Sequence, residues 1–233
     1  MKRLAAALLI TLLIGGTAPA WSEDVGQATR VQRFAYQTPP QQQKTALYRF
    51  GKVERNARLE TVASGALEVT FTDGSHLTLG SSSAMVVDNY VFDSQQNANQ
   101  TLNLTRGLFR FVSGAMPKDK VRLQTPTVSI GIRGTTIKAQ INDNGSETIF
   151  FEHGVGFISN AKGQTVEISE GQLVTVSADG SISLPTKSRW NSGDHAIDQG
   201  LQAFGQVFGG PGAGSGGNGG FSTQPTGNAA TSP

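Results

Sequence analysis

The sequence predicts an all-β protein, a twisted solenoid-like or sandwich-like stack of short strands, and three observations carry that expectation. From Tyr48 to Leu184 apolar residues alternate with polar ones, as at Leu67/Val69/Phe71, Leu102/Leu104, Ile149/Phe151 and Val174/Val176. That is the period of a half-buried strand. The runs are cut by Asp73-Gly74, Asn144-Gly145, Lys162-Gly163 and Asp179-Gly180, dipeptides whose second residue takes positive φ at little cost. Gly154, Gly163, Gly171 and Gly180 then recur at the spacing expected of short strands in a sandwich, barrel or solenoid. No stretch of this region has a helical period.

The strand elements hold one irregularity and one echo. Before Arg133 the apolar positions are Val128, Ile130 and Ile132; after it they are Ile137, Ala139 and Ile141. A shift from even to odd positions would turn the second set to the opposite face of a continuous strand. The spacing therefore predicts a bulge or corner at Arg133–Thr136, with Gly134 supplying backbone freedom. An arginine there is expected to fasten the bend by donating to carbonyls left unpaired, with Thr125-Pro126 marking the preceding corner. The echo is weaker: Gly107-Leu108-Phe109-Arg110-Phe111 is similar to Gly154-Val155-Gly156-Phe157-Ile158, as repeated rungs would be.

The ends differ from this region. Lys2 and Arg3, the apolar run Leu4–Ile14 and Ala18-Pro19-Ala20 have the order of a secretory signal peptide, expected to span 1–22. Its apolar core is well short of the roughly 20 residues that span a bilayer, and no transmembrane span is expected after cleavage. The location implied is periplasmic or secreted. A leader segment is expected over 23–47 and the β domain over 48–185. Ile197, Leu201, Phe204 and Phe208 form a stripe that predicts an amphipathic helix over 191–208. Residues 209–233, rich in Gly, Ser and Asn, are expected to be a disordered, flexible tail.

Charge and residue chemistry narrow the function. There is no cysteine, so an exported chain of this kind depends on its core alone. Without Lys2 and Arg3 the basic residues number 17, equal to the 17 acidic ones. Such a balance argues against a nucleic-acid surface. His76, His153 and His195 have no metal-ligand spacing. Asp73, His76 and Ser81–Ser83 supply the residue types of a hydrolytic triad without the strand–turn–helix context such a triad requires. No catalytic, cofactor-binding or metal-binding residue is expected, and no cofactor.

Several ordered motifs resemble the FecR domain family. They are Phe71–Gly80 with Ser83 and Val87–Asp93, Gly107–Gly114, Thr125–Thr135, and Glu152–Ile158 with Glu170-Gly171-Gln172. The resemblance covers about residues 50 to 180, with Lys52–Leu59 departing most from the family's opening strand and turn. It implies a periplasmic β-rich module that binds protein, with an envelope protein as partner. Its structural or interaction residues would be Asp73, Gly74, Ser75, Gly107, Arg110, Gly114, Thr125, Pro126, Gly131, Arg133, Gly134 and Thr135. The best-known members pair a cytoplasmic anti-sigma segment and a membrane helix with a receptor-binding domain. Here the chain is expected to open with a signal peptide and none of those three parts is expected, so direct transmembrane signalling is not expected. The first reading is a non-enzymatic exported scaffold or sensing module. The alternatives are a carbohydrate-active enzyme, built on Asp73, Asp88 and Asp93, and a glycan- or matrix-binding solenoid with Tyr90 and Phe92 as a platform.

Overall fold

A computed structural model of the chain describes residues 23–92 and 98–188. The expected signal peptide, the helix over 191–208 and the tail over 209–233 lie outside these residues, as does Asp93. Fifteen strands run β1 (Asp24–Gln32), β2 (Ala35–Thr38), β3 (Thr45–Leu47), β4 (Lys52–Glu54), β5 (Arg58–Thr61), β6 (Ala66–Phe71), β7 (His76–Leu79), β8 (Ala84–Val91), β9 (Asn99–Val112), β10 (Val121–Gln124), β11 (Val128–Ile141), β12 (Glu147–Asn160), β13 (Thr165–Ser169), β14 (Gln172–Val176) and β15 (Thr186–Lys187). A short 3-10 turn at Lys118–Lys120 is the helical element among the described residues. None of the helices there is long and apolar enough to cross a membrane.

All strands belong to one hydrogen-bonded sheet, and its three long strands fold it into two layers. β9 pairs with β8 and β10 over its first half and with β7 and β11 over its second. β11 changes partner from β10 to β9, and β12 changes from β14 to β13. At each change stands a glycine of positive φ: Gly107 (φ 100°), Gly134 (64°) and Gly154 (84°). The buried parity switches at the same three points. It moves from Leu102/Leu104 to Phe109/Phe111, from Ile130/Ile132 to Ile137/Ala139, and from Ile149/Phe151 to Ile158. Each strand thus turns its apolar face inward on both sides of its corner.

The bulge expected at Arg133–Thr136 is present as register shifts on either side of Thr136. The echo between Gly107 and Gly154 has a physical origin too, since both glycines stand at such corners. One layer then reads β4-β1-β6-β7-β9-β11-β12-β14-β15, and the other β3-β2-β5-β8-β9-β10-β11-β12-β13. Between them lies a single apolar core that includes Leu59, Leu67, Leu79, Phe109, Phe111 and Phe151. Burying side chains of this size stabilises by roughly 1.5–3 kcal/mol each.

Residues 23–47, expected as a leader, supply three strands. β1 lies between β4 and β6, while β2 joins β3 to β5. Polar side chains at alternate positions masked the buried set Val25, Ala28, Ala35 and Leu47. Small alanines carry a weak apolar signal, yet they fit where two layers approach.

Candidate functional site

Two polar clasps link the layers, and the family-like motifs supply most of their residues. The first is built on the β6–β7 turn. Asp73 Oδ1 accepts from the Ser75 amide at 3.0 Å, the Ser75 hydroxyl at 2.6 Å and the Tyr90 hydroxyl at 3.1 Å. Tyr90 Oη in turn accepts from the Asp73 amide at 2.9 Å and pairs with Thr72 Oγ1. Its ring stacks on Phe71, with centroids 5.3 Å apart. Gln100 donates to Ser75 Oγ at 3.1 Å. Burial, opposed by the bonds from Thr72 and the Asp73 amide, pushes the Tyr90 hydroxyl up to about 12. Gly114 lies so close that a Cβ would collide with the Ser75 amide and the Asp73 carbonyl, and Ala115 N donates to that carbonyl at 2.8 Å.

The second clasp joins the β10–β11 turn to the start of β12. Thr125 Oγ1 accepts from the Val128 amide at 3.0 Å and closes the Thr125-Pro126-Thr127 turn. Thr127 then donates from Oγ1 to Glu147 Oε1 at 2.6 Å. Glu147 is 1% exposed, and its Oε2 has no partner. Burial raises this carboxyl above the usual range despite the bonds from Thr125 and Thr127. Beside the turn, Gln124–Ser129 and Ser159–Ala161 line an open groove of about 340 Å³, uncharged and rich in hydroxyl and amide groups.

The remaining expected site residues separate into distinct places. Ser83 Oγ accepts from the Leu108 amide at 3.0 Å, and a Cβ on Gly107 would fall within the space that Ser83 fills. Arg110 donates from Nε to Glu152 Oε2 at 3.0 Å, with Lys138 on the other oxygen at 2.9 Å. Although burial would raise Glu152, these two cations hold its carboxyl below the usual range. A Cβ at Gly131 on β11 would meet only the Phe157 carbonyl oxygen, at 4.0 Å, and Gly74 occupies its turn at φ 78°.

Arg133 does not fasten its bend. It is exposed, and the corner is held by Ser113 instead. The Ser113 amide donates to the Thr135 carbonyl at 3.1 Å, and Ser113 Oγ accepts from the Thr135 amide at 3.0 Å. The bulge thus satisfies its backbone from the neighbouring strand, which leaves the guanidinium in solvent. Thr135 itself is buried.

Several residues of the enzymatic and platform alternatives are engaged elsewhere, while Phe92 is 44% exposed. Asp73 is bound to Ser75 and Tyr90, while His76 Nδ1 pairs with Thr70 Oγ1 at 3.0 Å. Ser81 Oγ accepts from the Ser64 amide, and Asp88 accepts from Asn103 at 3.0 Å. Tyr90, offered as a surface platform, is 2% exposed, because its ring belongs to the interlayer core. Sequence reasoning missed Glu147, Gln100 and Ser113, whose partners are remote in the chain. It also missed an exposed aromatic set, Phe34, Tyr48 and Phe50.

Comparison with known proteins agrees with the motifs. The profile of the FecR protein family matches residues 57–156. Among solved structures, two crystal structures of a candidate anti-sigma factor from Parabacteroides distasonis, at 1.65 and 2.50 Å resolution, resemble the chain at 12% identity. Their TM-scores are 0.48 and 0.47. The likeness covers 57% of this chain and 61% of those chains, so it spans about three fifths of their length. No curated protein matches. Both clasps and the Gly107 and Gly134 corners lie inside residues 57–156, the segment that the FecR protein family's profile matches.

Proposed function

We propose that this protein is an exported, non-enzymatic interaction module of the cell envelope, whose FecR domain docks a protein partner in a sensing or scaffolding role. One observation carries the reading. The motif residues Asp73, Ser75, Gly107, Thr125 and Thr135 are absorbed in clasps and corners, while the groove along Gln124–Ser129 and Ser159–Ala161 is open. Uncharged hydroxyl and amide groups around a shallow groove suit the backbone of an extended segment, which needs donors and acceptors rather than ion pairs. Residues 1–22 act as the export signal in this reading, and the mature chain is periplasmic.

The test places a photo-crosslinking residue at Ser159 in the native host and a control at exposed His76. A discrete protein adduct from Ser159 alone is the expected outcome. Equal labelling from both positions, or none from Ser159, contradicts the docking site. Fractionation of the same cells reads the location separately.

A further inference from the structure

The exposed aromatic set lies outside the FecR match, in the connections between β1 and β2 and between β3 and β4. Phe34 is 60% exposed, Tyr48 73% and Phe50 57%. They occupy two adjacent chain crossings. Ala35 pairs with Leu47, which places Phe34 and Tyr48 side by side just past the β2–β3 ladder. The Phe50 amide donates to the Ala28 carbonyl at 2.7 Å, and the Ala28 amide donates to the Gly51 carbonyl at 2.8 Å. These bonds tie the second crossing to β1.

Packing does not account for this set. Phe50 (φ 68°) and Arg33 (φ 56°) both stand in the left-handed region, where a side chain other than glycine costs roughly 1–2 kcal/mol. A glycine or asparagine would relieve that strain, yet each crossing instead holds an arginine beside an aromatic ring. Arg49 lies over the Phe50 ring, 4.5 Å from its centroid. Arg33 is exposed like its neighbours. Arg33 and Arg49 are the cations of the two crossings, whereas Lys44 is paired with Glu60 at 2.7 Å and Arg30 stands opposite Glu68 on β6.

We infer that Arg33, Phe34, Tyr48, Arg49 and Phe50 form a docking corner for an anionic phospholipid surface. The chemistry matches on both counts. Aromatic rings at turn tips enter the interfacial layer, while guanidinium groups on short loops stay at phosphate level. Each cation near an anionic leaflet contributes attraction that salt screens. A protein cleft would also accept aromatic anchors, but exposed rings on two adjacent crossings, each beside an arginine, fit a flat anionic layer better. The inference rests on the envelope location proposed above. It places the module at a membrane face with the groove left available.

Flotation of the purified full protein with vesicles tests this without regard to location in cells. The protein is expected to float with vesicles of phosphatidylcholine and phosphatidylglycerol, and not with phosphatidylcholine alone. High salt should release it. Tyr48→Ala/Phe50→Ala and Arg33→Ala/Arg49→Ala should each weaken partition about tenfold or more, with melting midpoints confirming that both variants fold. Phe50→Trp should give a blue-shifted emission on the anionic vesicles. Wild-type protein that stays in the aqueous phase with both vesicle types overturns the inference. So does equal flotation of the variants. If the variants lose only the adduct formed from Ser159, the corner belongs to the protein interface and the lipid assignment fails while the docking reading stands.

Discussion

Thr127 Oγ1 lies 2.6 Å from Glu147 Oε1, a bond between turns that the bent β11–β12 hairpin brings together from opposite layers. The bond works in a buried setting, and Glu147 Oε2 has no partner there. An ionised carboxylate in that position is poorly compensated. The same relationship recurs on the N-terminal half, where Asp73 meets Tyr90 across the layers. Each half of the folded sheet is therefore closed by a polar contact.

Glu147 should make stability fall as pH rises. Burial raises its carboxyl in the folded state, so the folded chain holds the proton to higher pH than the unfolded chain. The resulting stabilisation is complete below the ordinary carboxyl range and is lost as pH rises through the raised value. Glu147→Gln keeps the oxygen that accepts from Thr127. It should raise the melting midpoint at pH 8 by about 2–4 °C, given about 1 kcal/mol, and leave it unchanged near pH 4. Parallel wild-type and variant curves across pH would refute this.

Glu152 should behave in the opposite sense. Its carboxyl is lowered by Lys138 and Arg110, against the burial that would raise it. The stabilisation is present above the ordinary carboxyl range and is lost as pH falls through the lowered value. Glu152→Gln should cost about 0.5–1 kcal/mol at pH 7, an amount suited to a partly exposed ion triad. The loss should shrink in high salt and vanish in acid, as chemical denaturation at both extremes can read.

The corner glycines separate two costs. A Cβ at Gly154 would meet the Gly134 carbonyl oxygen at 2.5 Å, whereas at Gly163 it would meet nothing within 4 Å, and both residues have φ near 83°. Gly163→Ala should cost only the backbone term, roughly 1–2 kcal/mol. Gly154→Ala should cost more, because rigid backbone must also move. Equal melting midpoints for the two variants would remove close approach from the account.

Arg133→Ala should change stability by no more than about 0.5 kcal/mol, as for other exposed positions. Ser113→Ala should cost about 1–3 kcal/mol, because the Thr135 amide loses its acceptor. Urea unfolding of both variants decides between solvent-exposed arginine and buried serine as the fastener of the bend.

Much of the strand pattern was legible because alternation records burial directly. The corner at Arg133–Thr136 was readable from Ile132 and Ile137 falling on opposite parities. The same switch stands in Leu104 and Phe109, and in Phe151 and Ile158, and it would have located the corners at Gly107 and Gly154. What could not be read is who meets whom across the layers. Tyr90 sits among polar neighbours in sequence, so its burial against Phe71 follows from the fold alone. Glu147 reads as a turn residue after Asn144-Gly145 until the bent hairpin brings Thr127 to it. Arg133 misled because residue type suggests a donor, whereas the available carbonyls had nearer partners. Strands β1 to β3 read only as a leader because small alanines, Ala28 and Ala35, hold part of their inner face.

In the proposed function the clasps and corners hold the two layers together and the groove beside Thr127 does the docking. One variant tests it most directly. Ser159→Arg places a long cation across the groove from a strand position of intermediate exposure. The measurement is the yield of the partner adduct from a crosslinker at Ser129, read together with the melting midpoint. The account predicts wild-type melting and an adduct reduced at least tenfold. Full adduct yield with wild-type melting would contradict it.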